Sequence, residues 1–274
     1  MKKIIFLILS ILCSFNLSAQ NSLAADSIKT TKHARNEFSA AKMENTTKSQ
    51  GDKAYIHNDF ASAIQIYESL LNTKGEATEI YYNLGNSYYK KGDMARAILN
   101  YERALLLNPG DGDIRSNLEI ARSKTVDKVE AVPQLFFISW TNSLINCMGA
   151  DSWAKCGVVT FIFLIVALYF FIFSKKVILK KMGFIVSIAL LVVVILSNVF
   201  ASHQKSLLVN RNSAIIMTPT VTIKSTPNES GTDLFIIHEG RKVTIKDNSM
   251  KEWKEIILED GNVGWIKTAD LEII

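Results

Sequence analysis

Cysteine and histidine are both scarce in this 274-residue chain, and their scarcity removes whole classes of chemistry. Three cysteines are too few for a disulfide framework. Cys13 falls in an N-terminal leader, which leaves Cys147 and Cys156, nine positions apart. This pair could bridge in an oxidising compartment, but its low-polarity surroundings read as two apolar thiols beside a bilayer. The four histidines, His33, His57, His203 and His238, lie in separate segments, and none has a metal-ligand spacing. His57 and His238 read as ordinary surface or turn residues. There is no phosphate-binding glycine loop and no nucleophile elbow. The expectation is a chain that is not an enzyme, with no catalytic residue, no metal and no cofactor. The net charge is only +5, and no basic stripe is interleaved with aromatics, so nucleic acid is not an expected partner.

What the chain has in quantity is apolar sequence in blocks: 48% hydrophobic residues stand beside 21% charged ones. Residues 1–19 read as a secretory signal peptide, with Lys2 and Lys3 as the charged start, an apolar stretch over 4–12 and Ser18-Ala19 as the small-residue exit. A lipid anchor at Cys13 is disfavoured by Leu12 before it, and uncleaved anchoring by the shortness of the stretch. Residues 20–43, rich in Ser, Thr and Lys, read as a flexible polar tether.

Two longer runs, 156–173 and 182–201, carry no charge. At ~1.5 Å rise per residue each covers roughly the 30 Å of hydrocarbon. They predict membrane-spanning helices over 153–174 and 182–202. Lys175, Lys176, Lys180 and Lys181 assign the loop 175–181 to the cytoplasm. Both long flanks then face the other side, as a cleaved signal also requires. The expected location is the inner (cytoplasmic) membrane, with N- and C-terminal domains in the periplasm. Residues 133–150 contain Phe136, Phe137 and Trp140 and read as an interfacial stem. An in-plane helix and a simple connector both remain open there.

Before the spans the sequence repeats itself. Gly51, Ala63 and Tyr67 recur 34 positions later as Gly85, Ala97 and Tyr101. The second copy, 78–111, carries Tyr81, Leu84, Gly85, Tyr88, Ala97, Tyr101, Ala104 and Pro109, and resembles the tetratricopeptide repeat. Gly85 would let the second helix of the unit approach, Tyr101 would fill the groove between helices, and Gly92-Asp93 would make the turn. The first copy, 44–77, is weaker, and 113–124 continues in phase as a capping helix, giving a repeat region over 44–128. The resemblance implies a concave protein-binding groove. Its candidate residues are Lys48, Asp52 and Tyr55 in the first copy and Glu79, Tyr82, Asn86, Tyr89 and Lys90 in the second. A terminal-carboxylate clamp is not expected, because only Asn86 matches it; Asp52, Ser116 and Ile120 do not.

After the spans the period changes to two. Candidate strands over 214–217, 221–224, 234–238, 242–246, 253–258 and 263–266 are separated by turn signals at Pro227-Asn228, Glu239-Gly240, Asp247-Asn248 and Asp260-Gly261-Asn262. Residues 206–274 therefore read as a small all-β barrel. Thr226-Pro227, His238-Glu239-Gly240, Trp253-Lys254-Glu255-Ile256 and Gly264-Trp265-Ile266 resemble the bacterial SH3-like domain. The resemblance implies an aromatic-lined cleft, with Trp253 and Trp265 as its candidates and core packing as the alternative for each.

The fold class expected is a multidomain membrane protein: an all-α tetratricopeptide array, a two-span hairpin and a C-terminal SH3-like barrel. That order resembles the BatE family of the Bacteroides aerotolerance operon over nearly the whole mature chain. The resemblance implies an envelope scaffold beside von Willebrand A-type proteins and a MoxR-type ATPase, in a complex linked to oxidative-stress tolerance. A peptidoglycan-binding wall sensor or tether acting through the barrel is the alternative.

Overall fold

The computed structural model describes residues 47–128 and 135–274. The signal peptide and the polar tether expected over 1–43 lie outside the described residues.

Five helices come first: α1 (Lys48–Ile56), α2 (Phe60–Lys74), α3 (Thr78–Lys91), α4 (Met94–Leu107) and α5 (Gly112–Ser123). Their ends repeat with the sequence. Asp59 and Asp93, 34 positions apart, each accept a backbone N–H three residues on and so cap α2 and α4. Asn58 and Gly92, the residues before them, both have φ near the left-handed region, at 61° and 90°. Asp111 caps α5 by accepting from Asp113 and Ile114.

Packing repeats as well. A Cβ on Gly51 would lie 2.5 Å from the Tyr67 ring, and one on Gly85 would lie 2.7 Å from the Tyr101 ring. The glycines are what allow each tyrosine to sit between paired helices, where Tyr67 and Tyr101 are almost wholly buried. Ala63, Leu70, Leu84, Ala97, Ile98, Ala104, Ile114 and Leu118 complete one continuous core.

A short helix, α6 (Phe136–Ile145), buries none of its residues. It leads into α7 (Ala150–Phe173) and α8 (Val177–Asn210), which form an antiparallel pair. Both are long and apolar enough to cross a membrane. Gly183 lets the helices close, because a Cβ there would lie 2.9 Å from the backbone of Phe171. Trp153 meets Phe200 edge-on at 5.0 Å. Most of the remaining apolar side chains face outward on all sides, from Val158 to Val199. The helices overrun the expected span limits. Val177 already begins α8, so the turn is Ser174–Lys176 rather than 175–181, and α8 continues beyond 202 to Asn210.

The C-terminal region is one antiparallel sheet of seven strands: β1 (Ser213–Ile216), β2 (Thr220–Lys224), β3 (Asp233–His238), β4 (Lys242–Asp247), β5 (Trp253–Ile257), β6 (Val263–Lys267) and β7 (Leu271–Ile273). The order is β3-β2-β6-β5-β4-β1-β7, so the sheet is not closed by pairing of its outer strands. The closed barrel expected from sequence is therefore replaced by an open sheet. Both outer strands instead meet the helical array. Arg103 of α4 donates to the Ile273 carbonyl at 2.6 Å, and Asp127 accepts the His238 N–H at 2.8 Å. Capping of unpaired edge groups by side chains serves the purpose that closure serves in a barrel.

Array and sheet share a core. Ala214, Ile215 and Ile216 are all fully buried, which breaks the alternation of a one-faced strand. Ala214 and Ile216 join the sheet's own core, while Ile215, with Ile274, joins that of the helices. Gly240, at φ +82°, lies against α4 and the residues after α5: a Cβ there would be 2.7 Å from Thr125 and 3.1 Å from Ile98. At the same seam Glu102 of α4, nearly buried, pairs with Arg122 of α5 and with Lys242 of β4, the latter at 2.7 Å.

Candidate partner-binding groove

The inner helices α1, α3 and α5 present side chains at one-repeat intervals, and hydrogen bonds join them into a ladder. Tyr67 donates to Asp52 at 2.7 Å, and Tyr101 donates to Asn86 at 2.7 Å. Asn83 donates to Asp52 at 3.0 Å, and Asn117 donates to Asn86 at 3.1 Å. Each pairing recurs 34 positions along. Burial, with Asp52 beside Tyr67, pushes both the Tyr67 and Tyr101 hydroxyls well above the usual phenol range, so both stay protonated and able to donate near neutral pH.

Along this ladder lie two adjoining depressions. One, of about 260 Å³, is lined by Asp52, Tyr55, Ile56, Tyr67, Asn83 and Asn86. The other, of about 300 Å³, is lined by Tyr55, Tyr82, Asn86, Tyr89, Lys90, Tyr101, Asn117 and Ile120. Tyr55 and Asn86 belong to both, so the two make one groove.

Of the eight residues proposed from sequence for this surface, six line it: Asp52, Tyr55, Tyr82, Asn86, Tyr89 and Lys90. Lys48 and Glu79 do not line either depression. They pair with each other at 3.0 Å between α1 and α3, and the Glu79 bond holds the Lys48 ammonium above its ordinary range. Asn83 and Asn117 were not singled out from sequence, although their 34-residue spacing was there to be read.

The groove is aromatic, polar and preset. Tyr55, Tyr82 and Tyr89 are half-buried, with their rings partly available to a ligand. Tyr82 and Tyr101 rings lie 6.1 Å apart, and Lys124 sits 4.3 Å over the Tyr89 ring. Among the described residues Asn86 spends only its oxygen, on Tyr101 and Asn117, so its amide N–H groups remain to donate to a carbonyl.

Residues 78–111, which are α3, α4 and their flanking turns, match the family model of the tetratricopeptide repeat. This segment is a tetratricopeptide repeat. No curated protein matches the chain. Tetratricopeptide units are protein-interaction modules, and a concave aromatic groove along their inner helices is the surface they offer a partner.

The tryptophans proposed for a cleft after the two long apolar helices are both half-buried and lie outside the sheet's buried core. In the β5–β6 register Trp253 stands opposite Lys267, and Glu255 stands opposite Trp265. The alternation of burial puts Lys254, Ile256, Gly264 and Ile266 on the core face, so the tryptophans share the other one. Lys267 lies 5.9 Å from the Trp253 ring. Gly264 accommodates the Ile223 side chain of β2 rather than a neighbouring ring.

His238, read from sequence as an ordinary turn residue, is instead a docking residue: its Nδ1 lies 2.7 Å from Asp127 Oδ1. Below the groove Glu76 ties α3's entry to Arg211, at the junction of α8 and β1, and accepts from Tyr81 at 3.0 Å. Arg211 holds the Glu76 carboxyl below the usual carboxylate range, while burial beside Glu76 pushes the Tyr81 hydroxyl up to about 12. Among the described residues no group of His, Cys, Asp and Glu could hold a metal ion.

Proposed function

We propose that the chain is a non-catalytic scaffold of the bacterial envelope, fixed in the inner membrane by α7 and α8, whose groove holds a segment of a partner protein on the periplasmic side. The observation that carries it is the groove itself: three half-exposed tyrosines over a hydrogen-bonded ladder of repeat residues, with the Asn86 amide left to donate. Four lysines in the hairpin turn and the first turns of α8 support a cytoplasmic turn, and hence a periplasmic groove. Because α6 is exposed from Phe136 to Leu144, with Phe136 at 83% and Trp140 at 67%, it suits an in-plane position at the membrane surface. The seven-stranded sheet is taken as a divergent SH3-like module, and the domain order as BatE-like. The partners are then von Willebrand A-type proteins of a MoxR-linked complex serving oxygen tolerance.

Replacing Tyr82 and Tyr89 together by alanine tests this reading. Buried aromatic contacts at interfaces are worth ~1–2 kcal/mol each, so recovery of von Willebrand A-type proteins with the full-length chain should fall by tenfold or more. The urea midpoint should fall by much less than for a buried core tyrosine, because both side chains are only partly buried against the helical core, and the chain should remain folded in water. Undiminished recovery would remove the groove from the interaction.

A second reading, a peptidoglycan tether, draws on Trp253 and Trp265 sharing the outer face of the sheet. It requires the detergent-extracted chain to sediment with purified sacculi and Trp265→Ala to abolish that.

A further inference from the structure

A cavity lies where the helical array, the outer end of α8 and the sheet meet, and nothing in the groove reading uses it. Its volume is about 430 Å³. Leu105 and Leu106 of α4 and Leu207 of α8 supply its apolar wall. Three cations stand at it: Arg115 of α5, Arg211 after α8 and Lys242 of β4. Each is steered by a bond that leaves N–H groups over. Arg115 donates to the Pro109 carbonyl at 2.6 Å, Arg211 to the Leu208 carbonyl at 3.2 Å and to Glu76, and Lys242 to Glu102 at 2.7 Å. Glu102 supplies the one carboxylate side chain in the lining, and its charge is already met by Arg122 as well as Lys242. Among the lining side chains three cations thus stand against one carboxylate, with Arg211 also met by Glu76 from outside the lining, beside an apolar wall.

Its height along α8 identifies what would fill it. The charge-free run of α8 ends at Ala201, and Gln204, three residues on, lines the cavity. Gln204 donates to the Ile145 carbonyl at 3.1 Å and to Asn146 Oδ1 at 3.0 Å, while Trp153 donates to the same carbonyl at 3.0 Å. The outer ends of both long helices are thus pinned together at the level of the cavity floor. From Gln204 to Asn210 the helix rises ~9 Å, which is about the depth of the headgroup layer above the hydrocarbon.

We infer that this cavity binds the phosphate of an anionic phospholipid of the same leaflet, with one acyl chain against Leu207. This rests on the reading that α7 and α8 span a membrane. Arginine forks suit phosphate oxygens, and basic recesses at the ends of membrane helices attract anionic headgroups. Bound lipid would lock the array, the sheet and the hairpin at one height.

The test uses the full-length chain in nanodiscs of phosphatidylglycerol and phosphatidylcholine in equal parts, then detergent release and native mass spectrometry. Wild type should keep one phosphatidylglycerol per chain and no phosphatidylcholine. Arg115→Glu, an exposed site, should lower retention about tenfold, the scale of one lost charge-assisted contact. Leu207→Trp, which fills the cavity from a half-exposed position, should do the same without unfolding the chain. Glutamine at Lys175, Lys176, Lys180 and Lys181 should leave retention unchanged. Equal retention by the cavity variants, or loss only in the lysine variant, overturns the site. Full displacement of lipid by inorganic phosphate would make the occupant a free anion and overturn the lipid. Flotation with liposomes is read separately: a chain that floats but keeps no lipid sinks the cavity alone, whereas one that fails to float sinks the membrane reading and the cavity with it.

Discussion

Tyr101→Ala should unfold the helical array at denaturant concentrations that leave the wild type intact. Tyr101 is 1% exposed, fills the space that Gly85 leaves open and donates to Asn86 at 2.7 Å. Removing a large buried aromatic costs ~3–5 kcal/mol, and an ordinary domain has only ~5–15 kcal/mol in all. A short repeat array has little to spare, because few repeats share its core. Urea titration of the full-length chain in detergent micelles, followed by far-ultraviolet circular dichroism, should show the array's transition shifted to much lower denaturant. Tyr101→Phe separates the two contributions: it keeps the ring and loses one hydrogen bond, and should cost only ~1 kcal/mol. A midpoint for Tyr101→Ala within error of the wild type would mean that the inner core is not built as described.

The second large effect is expected at the seam between array and sheet. Glu102→Ala removes the one carboxylate that pairs with both Arg122 and Lys242. Breaking a buried ion pair costs ~3–5 kcal/mol when the orphaned charge stays buried. Here the two cations are roughly a third exposed and can reach water, so ~2 kcal/mol is the expected loss. Hydrogen exchange should show protection falling together in α4, α5 and β4, although β4 is far from the two helices in the chain. Glu102→Ala with Lys242→Met should recover part of the loss, since contacting residues do not add independently. Protection lost in α4 and α5 alone, with β4 unchanged, would contradict a shared seam. One practical consequence concerns the sheet as an isolated fragment. Cutting it away would expose Ile215 and Ile274, which pack into the helical core, and would uncap both outer strands.

These two sites differ in how far they could be read from sequence. Tyr101 was legible, because Gly51 with Tyr67 and Gly85 with Tyr101 recur at the same interval and only small-beside-large packing explains that pairing. Six of the groove residues were legible for the same reason, through their places in a repeat. The two long helices were legible because an uncharged run of that length has few other uses. Glu102 was not: Lys242 lies 140 positions away, and no periodicity links an α-helix to a strand beyond the two long apolar helices. The open sheet was missed by the same route. Six strands announced themselves by alternation and turn residues, but β7 is a three-residue strand directly after a 3₁₀ turn, too short to show a period. Edge capping by Arg103 and Asp127 depends on tertiary placement alone. The run Ala214-Ile215-Ile216 did carry a signal, since three consecutive apolar residues in a strand imply burial on both faces, and that second face is the helical array.

The most direct test of the groove as a protein-binding surface is photo-crosslinking in native membranes. A benzophenone amino acid is placed at Tyr89, which lines the groove, and at Gln65, an exposed residue of α2 that lines neither depression. Tyr89 should give a discrete crosslinked partner peptide that maps to one segment of one protein and that disappears when Tyr82→Ala is added. Gln65 should give none. Equal yields from the two positions, or no adduct from Tyr89 while the chain is folded and membrane-inserted, would contradict it.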